Sequence, residues 1–197
     1  DVHRATAAEV FAIPLDKVGA DERRVAKVIN FGLIYGMSAF GVAQNLGIDR
    51  GTAQTYVDRY FARFPGAKRY MDQTRERART EGSVETVFGR RLWLPEIRSG
   101  APVRRQAAER AAINAPMQGT AADLIKLAMV AVQKWLDDEE LHALLIMQVH
   151  DELVLEVPED ELAAVKDGVR RLMQSVHELD VPLVVDVGVG RNWDEAH

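Results

Sequence analysis

The sequence predicts an α+β fold: a mostly helical first part, then part of an antiparallel sheet backed by helices. Three observations predict it. Apolar residues recur at helical spacing through the first two-thirds of the 197-residue chain. Two strand-like runs, "ALLIMQV" and "LVLEVP", then follow each other with only "HDE" between them. A further helix and a last strand-like run close the chain, an order that suits segregated helices and strands.

The elements follow in order. "TAAEVFAIP" predicts a short helix stopped before Pro14, because the residue preceding proline disfavours the helical conformation. "ADERRVAKVINFGLIYGM" predicts the next helix, with Asp21 and Glu22 in the first turn, where the helix dipole favours negative charge. "SAFGVAQNLGI" starts at a Ser38 cap and stops at Gly47. "DRGTAQTYVDRYFARFP" and "GAKRYMDQTRERARTEG" predict two more helices, ended by Pro65 and Gly82. "SVETVFGRRLWLP" predicts a small hairpin turning at Gly89. "VRRQAAERAAINAPMQGTAADLIKLAMVAVQKWL" predicts two helical pieces broken at "APMQGT", where Pro116 removes a backbone donor and Thr120 caps the second piece. After the two strand-like runs, "EDELAAVKDGVRRLMQSVHEL" predicts a helix and "PLVVDVGVG" a last strand. The change of character divides the chain into residues 1–97 and 98–197.

Composition is that of an ordinary globular domain, 47% hydrophobic and 28% charged. The absence of cysteine excludes disulfides and thiolate metal sites and points to a reducing compartment. No apolar run approaches the ~20 residues of a membrane span. The chain opens at Asp1 without methionine, so a piece of something longer is expected. The net charge of −5 is unevenly spread. Residues 59–110 hold 13 Lys and Arg against 6 Asp and Glu, and the remainder 12 against 24. A basic middle suits phosphates and an acidic remainder suits cations, although solvated helix faces give the same count.

Three constellations carry chemistry. On the second helix, Val25, Ala26, Ile29 and Leu33 fall on one arc, while Arg23, Lys27, Phe31 and Tyr35 form a stripe on the opposite face. Cations near a helix N-terminus fit a triphosphate. Phe31 and Tyr35 lie roughly 6 and 12 Å further along the axis, where the sugar and base of one nucleotide would lie. In "QVHDELVLEV", the adjacent carboxylates Asp151 and Glu152 sit at a tight turn, an arrangement that can hold Mg²⁺ through oxygen ligands. In "RAAINAPMQ", Arg110, Asn114 and Gln118 are donors able to reach minor-groove acceptors and so test duplex shape without reading sequence. Taken singly, each pattern is also compatible with ordinary packing, capping or turn chemistry.

Together these residues resemble the family A DNA polymerases, the bacterial polymerase I group. "RRVAKVINFGLIYG" resembles that family's fingers helix and "QVHDELVLEV" its metal-binding palm motif. "ERAAINAPMQGTAADLIKLAM" resembles the segment between them, and "VGVGRNWDEAH" the family's C-terminal end. The resemblance implies fingers over 1–97 and the C-terminal part of the palm over 98–197. It implies a triphosphate held by Arg23 and Lys27, with Lys27 also placed to protonate the leaving pyrophosphate. Phe31 and Tyr35 would contact the incoming sugar and nascent base pair. Asp151 would be a Mg²⁺ ligand supported by Glu152, with Arg110, Asn114, Gln118 and His150 on the primer–template. The fingers helix of the family swings to close over the nucleotide, a movement that Gly32 and Gly36 would ease.

One departure stands out. The family's second metal-binding aspartate lies on an upstream strand, in a motif resembling D-Y-S-Q-I-E-L-R, and nothing like it occurs here. The expected partners are therefore primer–template DNA, a dNTP and the missing N-terminal part of the polymerase, and the expected location is the nucleoid of the cytoplasm. A fragment of a single-subunit phage-type RNA polymerase, or a non-catalytic DNA-binding module, are the alternatives.

Overall fold

The computed structural model describes residues 1–196 and forms two compact units, Asp1–Met117 and Gln118–His197. It is α+β: long helices with two small antiparallel hairpins.

The first unit begins with α1 (Val2–Phe11), four residues earlier than the sequence predicts. The reason is Asp1, whose carboxylate accepts from the His3 and Arg4 amides at 3.0 and 3.1 Å and so caps the first turn. A short 3₁₀ turn (Leu15–Lys17) leads into α2 (Ala20–Ile34). There Glu22 reaches back to accept from the Gly19 amide at 3.0 Å. α2 buries Ala26, Ile29 and Leu33, the arc that helical periodicity predicts, with Val25 partly buried beside them. Ala26 packs with Ala7 and Val18, and Ile29 and Leu33 pack with Val10, Val42, Ala53 and Tyr60. These contacts fasten α2 to α1, to α3 (Ala39–Leu46) and to α4 (Arg50–Arg63).

The expected stops are where the sequence puts them. Ser38 Oγ accepts from the Gly41 amide, and Gly47 closes α3 at φ 66°. Pro65 does double duty, ending the turn at Phe64 and opening α5 (Pro65–Glu81) from the first helical position, where its missing N–H costs nothing. Gly82 closes α5 at φ 76°. The predicted hairpin is β1 (Ser83–Glu85) paired with β2 (Arg91–Trp93), in the register Val84 opposite Leu92 and Glu85 opposite Arg91. Val84, Leu94 and Ile97 form a core with Ala78, Ala108 and Ala112.

The break expected at "APMQGT" does not occur. α6 is one helix from Pro102 to Asp138, with Pro116 inside it and Thr120 in its interior rather than at a cap. Proline deprives the Ala112 carbonyl of its helical donor and costs about 3 kcal/mol in an isolated helix. Here alanines at 107, 108, 111, 112 and 115 favour the helix on both counts of propensity and small size. The Tyr70 hydroxyl also donates to the neighbouring Ile113 carbonyl at 3.0 Å, tying the weakened turn to α5.

In the second unit Val132 and Leu136 of α6 pack with Ala143, Val165 and Val169. β3 (Leu144–Val149) and β4 (Glu152–Glu156) pair antiparallel as predicted, with a bulge between Leu145 and Met147. α7 (Leu162–Gln174) covers Trp135 so closely that a Cβ at Gly168 would lie 2.2 Å from the indole Cη2, which demands glycine there.

The last predicted strand, 182–190, is absent as a strand. Its residues alternate, with Leu183, Val185 and Val187 half-buried between exposed neighbours, but among the described residues it joins neither sheet. Strand pattern is local, whereas strand pairing requires a neighbouring edge. A short helix, α8 (Trp193–Ala196), ends the described chain.

β3 is anchored by Glu161. Its carboxylate accepts from the His142 and Ala143 amides at 2.9 to 3.0 Å and contacts the His142 ring at 2.9 Å. The His142 amide first, and then the ring and the Ala143 amide, hold the Glu161 carboxyl below its ordinary 4.5, against a smaller opposing effect of burial. A depressed carboxyl pKa contributes stability that is complete above 4.5 and lost as pH falls through the lower folded value. Thermal melts of the wild type should therefore lose part of their midpoint below that pH. Glu161→Gln should lack that acid component and melt roughly a few degrees lower at pH 7. Superimposable pH profiles for the two proteins would contradict the anchor.

Candidate functional site

α2 shows two faces because one is held in the core, so its opposite face is presented to solvent along its whole length. Arg23 pairs with Asp1 at 2.6 Å, so the residue that caps α1 also positions the first cation of the stripe. One turn on, the Lys27 ammonium lies 6.0 Å from the centre of the Phe31 ring, within cation–π range. Phe31 and Tyr35 are stacked, with 6.4 Å between centroids and 13° between planes, and are 44% and 42% exposed. Two exposed rings held nearly parallel present a flat apolar surface directly beyond a charge.

Lys27, Phe31 and Tyr35 form one wall of a cleft of about 900 Å³, lined also by Phe40, Arg75 and Arg110, whereas Arg23 lies outside its lining and pairs with Asp1. Its charged lining is Arg24, Lys27, Arg75 and Arg110 against Glu109, which Arg79 engages at 2.7 Å. The cleft is therefore cationic and suits an anion. Gly36 makes the close approach of α6 possible. It closes α2 at φ 81°, and a Cβ there would come within 3.3 Å of Arg110 Cγ and 3.4 Å of Ile113 Cδ1. Gly32 is tight on its other side, against Met37 at 3.0 Å.

One residue of this site is missing from the sequence reading. The His3 ring lies 5.4 Å from Phe31, and its Nδ1 is 2.9 Å from Asn30 Nδ2. An amide nitrogen can only donate, so Nδ1 accepts and the neutral ring carries its proton on Nε2. Burial first, then Arg23, Lys27 and the chain's amino terminus, lower the His3 pKa from its ordinary 6.5. The sequence signal was Asp1, a strong capping residue that would have started α1 early enough to include His3.

Arg110 and Asn114 stand one turn apart on α6, as the sequence predicts. Arg110 is exposed in the cleft, and the Asn114 Oδ1 is buried with no hydrogen-bond partner among the described residues. A buried acceptor without a donor costs about 1–3 kcal/mol. Gln118, further along α6, is exposed.

In the second unit, His150 and Asp151 form the two-residue loop between β3 and β4, and Val149 faces Glu152. Glu152 is thus the first residue of β4 rather than part of the turn. His150 takes φ 53°, and the Gln148 side chain donates to its carbonyl, which fixes the tip. Along β4, Leu153 and Leu155 pack into the core, and alternation turns Glu152 to the other side. Asp151 is exposed at the tip. Among the described residues no group of three or more potential ligands gathers around a metal position, so Asp151 and Glu152 do not form a complete metal site by themselves. Mg²⁺ is commonly held by one or two carboxylates completed by phosphate and water oxygens, and the exposed Asp151 carboxylate at the tip fits that requirement.

Known proteins resemble the chain over its whole length. Residues 1–195 match the model of DNA polymerase family A. The whole chain is 64% identical to DNA polymerase I of Pseudomonas aeruginosa, of which it spans 22%. It is 50% identical to the thermostable DNA polymerase I of Thermus filiformis, of which it spans 23%. The fold superposes on the POL domain of Pol1 from M. smegmatis, in complex with DNA primer-template and dNTP, at a TM-score of 0.94. That match has 45% sequence identity and covers all of this chain and 35% of the other. The chain belongs to DNA polymerase family A, and it spans about a fifth of the length of these curated relatives.

The His3 environment gives a direct check of the cationic end. Because Lys27 and Arg23 help hold His3 neutral, Lys27→Ala should raise the His3 midpoint toward 6.5 in an NMR titration. The stability that neutral His3 contributes is complete above 6.5 and lost as pH falls through its lower folded value, so this loss should also weaken in the variant. An unchanged midpoint would place the Lys27 charge away from the ring.

Proposed function

We propose that this chain is the C-terminal part of a DNA-directed DNA polymerase, with fingers over residues 1–97 and part of the palm over 98–197. The reaction is attack of a primer 3′-hydroxyl on the α-phosphate of a dNTP, with release of pyrophosphate. One observation carries the reading. Lys27, stacked Phe31 and Tyr35, and Arg110 line a single cationic cleft, with charge at one end of a helical stripe and flat rings at the other.

In this reading Arg23 and Lys27 bind the triphosphate, and their positive charge favours the charge that develops on the leaving pyrophosphate. Lys27 is also the proton donor to that leaving group. Phe31 lies against the sugar, and Tyr35, stacked on it, against the nascent base pair. Arg110, Asn114, Gln118 and His150 contact the primer–template, with Arg110, Asn114 and Gln118 as donors to minor-groove acceptors. Gly32 and Gly36 accommodate closure of the helix over the nucleotide.

Asp151, supported by Glu152, would hold Mg²⁺, which when bound would supply Lewis-acid activation of the attacking hydroxyl and charge neutralisation at the phosphate. The second metal-binding aspartate comes from the part of the polymerase outside this chain, which spans only about a fifth of its relatives. Among the described residues no helix is long and apolar enough to cross a membrane. In this reading the protein acts on chromosomal DNA, at the nucleoid of the cytoplasm.

Primer extension tests the reading. The 197-residue chain alone should not extend a primer. Mixed with or joined to an upstream polymerase segment that carries the second aspartate, it should do so in a Mg²⁺-dependent way. In that assembly Asp151→Ala should abolish turnover and leave primer–template affinity within about a few-fold, since phosphate and groove contacts dominate DNA binding. Robust extension by the chain alone, or wild-type turnover in the variant, would refute the assignment.

A further inference from the structure

The hairpin of β1 and β2 carries a surface that the cleft does not use. Trp93 is 64% exposed, an uncommon position for the largest apolar side chain. The Arg91 guanidinium lies 5.3 Å from its ring. Arg91 and Trp93 are two residues apart on β2, so they share one side of the hairpin. Glu85, directly opposite Arg91 in the register, accepts from its Nε at 2.8 Å and from Nη2. That bond holds the guanidinium against the indole while leaving half of the Arg91 side chain exposed. Arg77 approaches the same carboxylate at 3.8 Å, so two cations share Glu85. None of these residues lines the cleft.

We propose that this face of the hairpin is a stacking platform for unpaired nucleotides of single-stranded DNA. An exposed indole offers a flat surface to any base, and stacking tolerates every sequence because each base has a π-face. An arginine fixed beside it offers a charge to the adjoining phosphate. The surrounding segment, residues 59–110, has a surplus of positive charge that favours a polyanion over an apolar protein partner. The ring abuts a guanidinium, so a flat surface and a charge stand side by side. The proposal rests on the polymerase reading in one respect: the unpaired strand it names is template not yet copied.

Fluorescence anisotropy on the full 197-residue chain tests it, with a labelled oligo-dT of about a dozen nucleotides and a blunt duplex of the same length. Trp93→Ala should weaken single-strand binding roughly 5- to 100-fold, the range of one lost base–aromatic stack. Trp93→Phe, which keeps a ring and guards against misfolding, should stay within about threefold of wild type. Arg91→Ala should weaken binding and reduce the slope of log affinity against log salt by about 1. Blunt-duplex affinity should be unchanged by Trp93→Ala. Equal oligo-dT affinity for wild type and a folded Trp93→Ala variant would overturn the proposal. So would equal losses on single strand and duplex, or a Trp93-dependent self-association seen by sedimentation without any effect on DNA. Because the readout is binding without dNTP, a failure here leaves primer extension untouched, and a failure of extension leaves the Trp93 result standing.

Discussion

Burial of one face of α2 is the constraint on which the rest of the first unit depends. Ala26, Ile29 and Leu33 are essentially inaccessible, wedged against residues from α1, α3 and α4. Fixing that arc fixes the rotation of the helix about its axis, and the opposite face follows by geometry. Arg23, Lys27, Phe31 and Tyr35 stand in a line on that face, with Asp1 on Arg23 and His3 beside Phe31. The core sets the direction of the stripe, and the site is a consequence of packing some 10 Å away across the helix.

Economy of partners is visible around that helix. Asp1 caps α1 and pairs with Arg23, so one carboxylate ends a helix and aims a cation. Asn30, on the border of the buried face, sets the His3 tautomer beside Phe31. Gly36 ends α2 and gives α6 room to bring Arg110 to the cleft. In the second unit the same economy appears at Glu161, which precedes α7 and anchors the entry to β3, the strand that leads to the His150–Asp151 tip.

Local patterns made much of this legible in the sequence. The two-faced α2, the Ser38 and Gly47 caps and both hairpins follow from periodicity and turn chemistry within a few residues. The motifs in "RRVAKVINFGLIYG" and "QVHDELVLEV" led to the family that the whole-chain comparison supports. What was not legible depended on residues distant in sequence. Pro116 reads as a break, yet Tyr70, 43 positions earlier than its Ile113 acceptor, buttresses the turn. Residues 182–190 read as a strand, and their alternating burial keeps that character, but a strand is completed only by a neighbour's backbone. His3 was missed because the start of α1 was placed at its apolar pattern instead of at its cap.

The central claim is that the α2 stripe is a nucleotide laid along a helix, triphosphate at Lys27 and sugar at Phe31. Phe31 offers the sugar no hydrogen-bonding group, so a dideoxynucleotide beside it loses the polar contacts of its missing hydroxyl without replacement. Phe31→Tyr adds a hydroxyl at the ring tip, where a hydrogen bond in a partly desolvated site is worth about 1–3 kcal/mol, roughly 5- to 150-fold. The decisive measurement is the ratio of dNTP to ddNTP incorporation efficiency in the assembled polymerase, before and after that substitution. The account predicts that this ratio falls by about that factor while normal dNTP use barely changes. An unchanged ratio would show that Phe31 does not face the sugar, and the stripe would be a packing surface and nothing more.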